Sequence, residues 1–476
     1  MGDEQRQRSG DQAGAHLGVW DAVSLIVGIV VGTAIFKSPP LVFSSVETAA
    51  GGMLLWAVGG LLAWLGALCY AELSSTYPQF GAEYIFLNRA YGSLVGFLFA
   101  WMQLVAILTG SMGAMAFVFA DYTAEIFPEA TGLTAPIAAG AVGILLTFQL
   151  TGVAVGRRLQ NLLSAAKVIG LLAVLGAGFA ASPPATLVPD GDSAPFETNI
   201  GLALVFVLYA YGGWNDAAAV AAEVRDVRKN LPRALIFGVG GILILYLAIN
   251  FAYLWGLGLN GLRASPAPAA SLVRAAWGIE AGQFVSVLVM ISALGAINGM
   301  MFAGSRLLAA VGDDFPTLRW LRFWTARGVP LWSFLLIAGI SVTQILFLGT
   351  DWGRRAIDAL FDLCRVPPPD WQSYGGGFDT LVAATAPLFW GFFLLSAASL
   401  LVLRRTDPNR PRPFRVPGYP VTPILFCVVC GYMLRSSLLY AGSLATIALV
   451  PLGLGAALFC ADRWTAASDR ASKSPE

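Results

Sequence analysis

Apolar residues come in long blocks along almost the whole chain, separated by short polar stretches. About twelve of these blocks reach the roughly 20 residues that a helix needs to cross a bilayer. They cover 18–38, 50–75, 93–120, 134–152, 159–181, 199–222, 233–258, 280–308, 331–349, 378–404, 417–437 and 441–462. Lipid offers no hydrogen-bond partner to open backbone, so each block is expected to be helical. The pattern predicts an all-α membrane protein of about 12 transmembrane helices with no soluble domain. The longest non-apolar piece, TDWGRRAIDALFDLCRVPPPDWQSYGGG at 350–377, reads as a short surface helix followed by a Pro/Gly-rich loop.

Composition sharpens this. Only 12% of the 476 residues are charged, against roughly a quarter in soluble proteins. The net charge of +1 gives no support to a nucleic-acid or polyanion partner. The polar stretch MGDEQRQRSGDQAGAH reads as an N-terminal tail with no cleavable signal peptide. With the N-terminus inside, Arg89, Arg157, Arg158, Arg225, Arg306, Arg319, Arg322, Arg404, Arg405, Arg410, Arg412 and Arg415 all fall in inner loops. The outer side receives only Lys37, Arg263, Arg274, Arg354, Arg355, Arg365 and Arg435. That bias predicts a multi-pass protein of the cell (plasma or inner) membrane with both termini cytoplasmic. It divides the chain into a tail at 1–17, a core at 18–405 with an external insertion at 350–377, two further helices at 406–464 and a tail at 465–476.

The only histidine, His16, lies in the tail, so a histidine proton relay or a histidine-based metal or catalytic site is excluded by count. Cys427 and Cys430 form a CxxC pair inside an apolar span without metal partners, and read as buried small hydrophobes. No metal and no cofactor is expected. No nucleophile–base pair or carboxylate cluster suggests an enzyme.

Three intramembrane features carry the candidate chemistry. The first is VGTAIF at 31–36, in the middle of span one. Gly32 permits unusual backbone angles and Thr33 competes for backbone hydrogen bonds. If the helix opens there, the N–H groups of Thr33, Ala34 and Ile35 form the positive end of a half-helix, which suits a carboxylate. A packing glycine is the plainer reading of that stretch alone. The second feature is FVLYAYGGWND at 206–216, where Gly212 and Gly213 interrupt span six. Two interruptions five spans apart point to an inverted-repeat transporter with its site at the midplane. The third is Lys167, about 13 Å deeper than Arg158 along a helix. At that depth an ammonium must face the protein interior and find oxygens.

These segments carry a family resemblance. VGTAIF, GALCYAELSSTYPQFGAEYIF (66–86), YAYGGWNDAAAVAAEVRDVRKNLPRAL (209–235) and AINGMMFAGSRLLAAVGDDFP (296–316) follow one another in the order found in the amino acid–polyamine–organocation superfamily. The chain most resembles the L-type amino acid transporter group. The resemblance implies a five-plus-five inverted-repeat core with broken helices one and six, plus two C-terminal helices. It implies alternating access, with the substrate carboxylate at the backbone of Thr33, Ala34 and Ile35. The amino group would meet carbonyls near Val30 and near Tyr209, Ala210, Tyr211 and Gly212. Tyr209 matches the aromatic that closes over the substrate, Asn215 a polar residue lining the site. Lys167 matches a lysine standing where related carriers hold sodium, tying span one to span eight through Ser292.

The chain departs from the family pattern in three places. Ala34 replaces a glycine, so a methyl group intrudes at the expected carboxylate position. Lys37 follows one turn later and reads as a snorkelling outer lysine. The loop DYTAEIFPEATGLT between spans three and four lacks the cysteine that joins some family members to a heavy chain, so no disulfide-linked partner is expected. Glu72 and Glu223 read as braces of inner helix ends. The expected function is sodium-independent transport of amino acids, neutral L-amino acids first, by exchange or facilitation. The alternatives are proton-coupled or exchange transport of cationic amino acids or polyamines, and a non-transporting amino acid sensor. The partners are the substrate and the bilayer.

Overall fold

The computed structural model describes residues 18–78, 82–151, 153–182, 198–215, 225–325 and 329–471. Among them there is helix and no β-sheet, only one isolated bridge between Trp324 and Pro330. Within the described residues, every predicted span contains helix. Span one is α1 (Val19–Val30), a 3-10 turn (Thr33–Phe36) and α2 (Ser38–Ser44). Span two is α3 (Ala49–Thr76), followed by the short α4 (Ala82–Tyr91). Span three is α5 (Ser93–Ile126), loosened by a π turn at Gln103–Ile107. Spans four to six are α6 (Thr134–Thr151), α7 (Val153–Ala180) and α8 (Ile200–Ala210). Span seven is α9 (Val227–Arg263), kinked where Gly258 takes a positive φ of 68°. The short α10 (Pro268–Trp277) leads into span eight, α11 (Ile279–Asp314). Then come α12 (Leu331–Gly349), the surface helix α13 (Asp351–Leu363), α14 (Gly377–Thr406), α15 (Val421–Ala441) and α16 (Leu449–Ala471). The last span begins later than the sequence suggests, because Gly442–Ala448 winds as a 3-10 turn. Among the described residues, eight stretches are long and apolar enough to cross a membrane by themselves, and Val421–Trp464 among them holds the last two spans.

Local chemistry sets several of these boundaries. Thr48, Asn199 and Thr350 each cap a helix N-terminus, accepting from the N–H of Gly51, Leu202 and Gly353. Pro39 and Pro40 open α2, where a missing N–H costs nothing. In the insertion, α13 buries Gly353, Ile357 and Phe361 along one stripe. Beyond it, the Tyr374 hydroxyl donates to Ala441 O at 2.8 Å. Burial, with Asp370 nearby, pushes that phenol above its usual pKa.

The helices pack in two groups. Spans one, two, six and seven contact one another, as do spans three, four, eight and nine. Span two lies close against span six: a Cβ at Gly59 would stand 2.3 Å from Val207, and one at Gly60 would stand 2.8 Å from the Tyr211 hydroxyl. On the arginine-rich side, Glu72 of α3 is 1% exposed. It accepts two hydrogen bonds from Arg404, at 2.7 and 2.5 Å, and one from the Val416 N–H at 2.7 Å. Arg412 stands 3.7 Å from the same carboxylate. Glu72 is thus a brace, as the sequence suggests, and it ties span two to span ten. Glu223 lies outside the described residues.

Candidate functional site between two broken helices

The first break is built from the backbone. Val31 N–H still reaches Val27 O at 2.8 Å, but Gly32 turns its N–H back to Val30 O at 2.6 Å and is extended, with ψ −176°. The chain then winds as the 3-10 turn of Thr33, Ala34, Ile35 and Phe36, all buried. A 3-10 turn bonds residue i to i+3, so the N–H of Ile35 is spent on Gly32 and those of Thr33 and Ala34 have no carbonyl within the turn. That corrects the expectation of three free N–H groups to two. The Thr33 hydroxyl, fully buried, has no hydrogen-bond partner. Tyr122 of α5 donates to Phe36 O at 2.8 Å and fixes the far end of the turn.

The second break follows the same logic. α8 ends at Ala210, Tyr211–Gly213 form a turn, and the helix resumes at Trp214. Gly212 N–H bonds Tyr209 O at 3.1 Å. Gly213 has φ +100°, which a residue with a side chain adopts only with strain. Asn215 is buried at the start of the resumed helix, and Asp216 lies outside the described residues.

One side chain joins the breaks. The Tyr246 hydroxyl of α9 lies 3.2 Å from Val30 O and 3.2 Å from Ala210 O. These are the carbonyl ends of both half-helices, where the helix dipole is negative. A hydroxyl has one proton, so it donates fully to only one of the two acceptors at a time. Tyr246 is fully buried and packs on Trp56 at 6.0 Å and Tyr211 at 5.0 Å between ring centroids. Tyr211 donates in turn to Trp56 O at 3.2 Å, while the Trp56 indole N–H has no partner. One turn along α9, Asn250 Nδ2 bonds Tyr246 O and its Oδ1 is unpaired. The sequence reading passed over Tyr246 and Asn250. Their signal was a polar pair at i and i+4 in the middle of an apolar span.

The remaining residues are less closely joined. Tyr209 meets Phe378 of α14 edge-on at 5.7 Å. Lys167 is buried, while its neighbours Val168 and Ile169 are exposed. It shares the inner face of α7 with Gly170, where a Cβ would approach Phe36 and Leu288 of α11. Lys167 therefore faces the turn in span one and span eight. The bond expected to Ser292 is not made: the Ser292 hydroxyl is buried and has no partner. Lys37 is paired with Asp121 of α5 at 2.7 Å, and both side chains are partly exposed.

The geometry is that of a multi-span helical membrane protein with two interrupted helices, whose carbonyl ends at Val30 and Ala210 meet at the Tyr246 hydroxyl. Comparison with known proteins places it further. The profile of the amino acid permease family matches residues 17–452, and the chain belongs to that family. It is 28% identical to the b(0,+)-type amino acid transporter 1 of Homo sapiens over 445 residues, 89% of this chain and 82% of that protein. It is 27% identical to the Large neutral amino acids transporter small subunit 2 of Mus musculus, over 89% of this chain and 76% of that protein. The protein is an amino acid transporter of the membrane and not an enzyme.

Proposed function

We propose that the chain carries neutral L-amino acids by alternating access, without sodium, across the cell membrane with both termini on the cytoplasmic side. The observation that carries this reading is the Tyr246 hydroxyl lying between Val30 O and Ala210 O. It marks a place where two acceptors await a group with several donors, which an α-ammonium supplies with three. The N–H groups of Thr33 and Ala34 are the matching donors for the α-carboxylate. A zwitterion satisfies both ends without a charged side chain from the described residues of the two breaks. Lys167 supplies a fixed cation behind the turn, which supports independence from sodium. The names of the relatives, one b(0,+)-type and one for large neutral amino acids, are in keeping with this substrate class. The cysteine-free segment 121–134 supports a carrier with no disulfide-linked partner there.

Uptake of a labelled amino acid pool into sodium-free proteoliposomes, empty or preloaded with the unlabelled pool, tests the reading. Uptake into preloaded vesicles alone makes the chain an obligatory exchanger, and equal uptake into both makes it a facilitator. Uptake that requires a sodium gradient refutes sodium independence, and absence of uptake in both favours a sensor.

A further inference from the structure

Asp379 stands in the first turn of α14 and is only 5% exposed. The backbone N–H of Gly375 reaches its carboxylate, yet Oδ1 has no hydrogen-bond partner. A buried carboxylate oxygen without a donor is costly, so the position calls for a donor from elsewhere. The charged groups whose fields reach it are Lys37 and Asp121, and Lys37 is committed to Asp121 at 2.7 Å. Aromatic rings cluster around Phe378, the neighbour of Asp379. Phe378 meets Tyr209 at 5.7 Å and Phe206 at 6.5 Å, Phe206 meets Tyr440 at 5.8 Å, and Tyr440 meets Tyr374 at 5.6 Å. Tyr440 itself lies within electrostatic reach of Asp379. The flank at residue 375 is kept clear, since a Cβ on Gly375 would stand 2.5 Å from Asp379 Oδ2.

A carboxylate among aromatic faces is the chemistry that recognises an alkylammonium ion. Asp379 lies at the end of α14 opposite Arg404 and Arg405, and its neighbour Phe378 touches Tyr209 beside the second break. We propose that Asp379, with the rings beside it, is an entrance site that takes the ammonium group of an amino acid arriving from the outer side, before the substrate reaches the broken helices. This rests on the carrier reading above and on the arginine-rich ends facing inward.

The test measures half-saturation separately from each side of oriented proteoliposomes, using the labelled L-amino acid that the wild type carries best. Asp379→Asn keeps the shape and removes the charge. It is expected to raise the external half-saturation concentration about tenfold, the loss of one charge-assisted hydrogen bond, and to move the internal value less than twofold. Gly375→Ala presses a methyl group against Oδ2 and should raise the external value in the same one-sided way, which keeps the test open if Asp379→Asn does not accumulate. Equal rises on both sides, a rise confined to the inner side, or no external change overturns the entrance site. Failure of the wild type to carry any amino acid rejects the carrier reading instead.

Discussion

At the residue scale, the proposed site mixes bonded polar atoms, such as the Tyr246 hydroxyl, with buried ones that have no partner, such as the Thr33 hydroxyl. Tyr246 tests this most directly. Tyr246→Phe removes the proton shared between Val30 O and Ala210 O and leaves the ring in its aromatic pocket. A hydrogen bond of this kind contributes about 1 kcal/mol, so the half-saturation concentration for amino acids is expected to change by roughly fivefold. An unchanged value in transport assays sets Tyr246 outside the site. Thr33 is fully buried in the 3-10 turn, so Thr33→Leu crowds the gap and should abolish binding of a labelled substrate. Persisting uptake would remove the turn from the site. Ala34→Gly takes away the one methyl group beside the free N–H groups and is expected to shift preference toward larger substrates in a competition assay.

Which residues were legible depends on what holds them. Gly32, Thr33, Gly212 and Gly213 announce the breaks because two such interruptions stand five spans apart in otherwise apolar stretches. Lys167 announces itself by charge and depth. Tyr246 was not legible as a site residue, because tyrosine is common in membrane helices and its partners are backbone carbonyls far away in sequence. The Lys37–Asp121 pair was missed because Asp121 sits at the end of a different span, and only packing brings the two together.

At the element scale, the half-helices are held by what packs around them. Tyr122 grips the turn from span three. Arg263 of α9 donates to Phe43 O, Val46 O and Glu47 O at 2.9, 2.6 and 2.9 Å, closing the carbonyl end of α2. Span six is held by closeness, through Gly59 and Gly60. Gly60→Val would drive side-chain carbons into Tyr211 and Leu243. Overpacking of this kind costs about 1–3 kcal/mol, and the variant is expected to unfold at lower temperature in a detergent melt. An unaltered melting temperature would mean that spans two and six are less tightly apposed. Hydropathy places α3, α6, α12 and α14 within two residues, while most other helices differ from the predicted bounds by four to nine. Two of the differences, at Gly442–Ala448 and at the Gly258 kink, lie where apolar sequence runs on but backbone angles do not.

At the scale of the whole molecule, two sets of four helices each carry equivalent members of two halves of the chain. Spans one and two pack with six and seven, and three and four with eight and nine. The Glu72 cluster joins the first set to span ten. Glu72→Gln would leave Arg404 and Arg412 facing a neutral amide in a largely buried place. Breaking one partner out of a buried pair costs about 3–5 kcal/mol. A marked loss of folded protein in size-exclusion profiles is expected, and a normal profile would show that water replaces the carboxylate.

That same carboxylate also bears on the order of synthesis. Glu72 and Arg404 are 332 residues apart in the chain. At roughly 5–20 residues per second, span two waits about a quarter of a minute to a minute before its counter-charge is made. Through that interval Glu72 has to remain at the water-facing edge of the membrane or be shielded by the insertion machinery. The ion pair that braces this end of span two is therefore made only after span ten has been synthesised, and the first half of the protein is completed by the second.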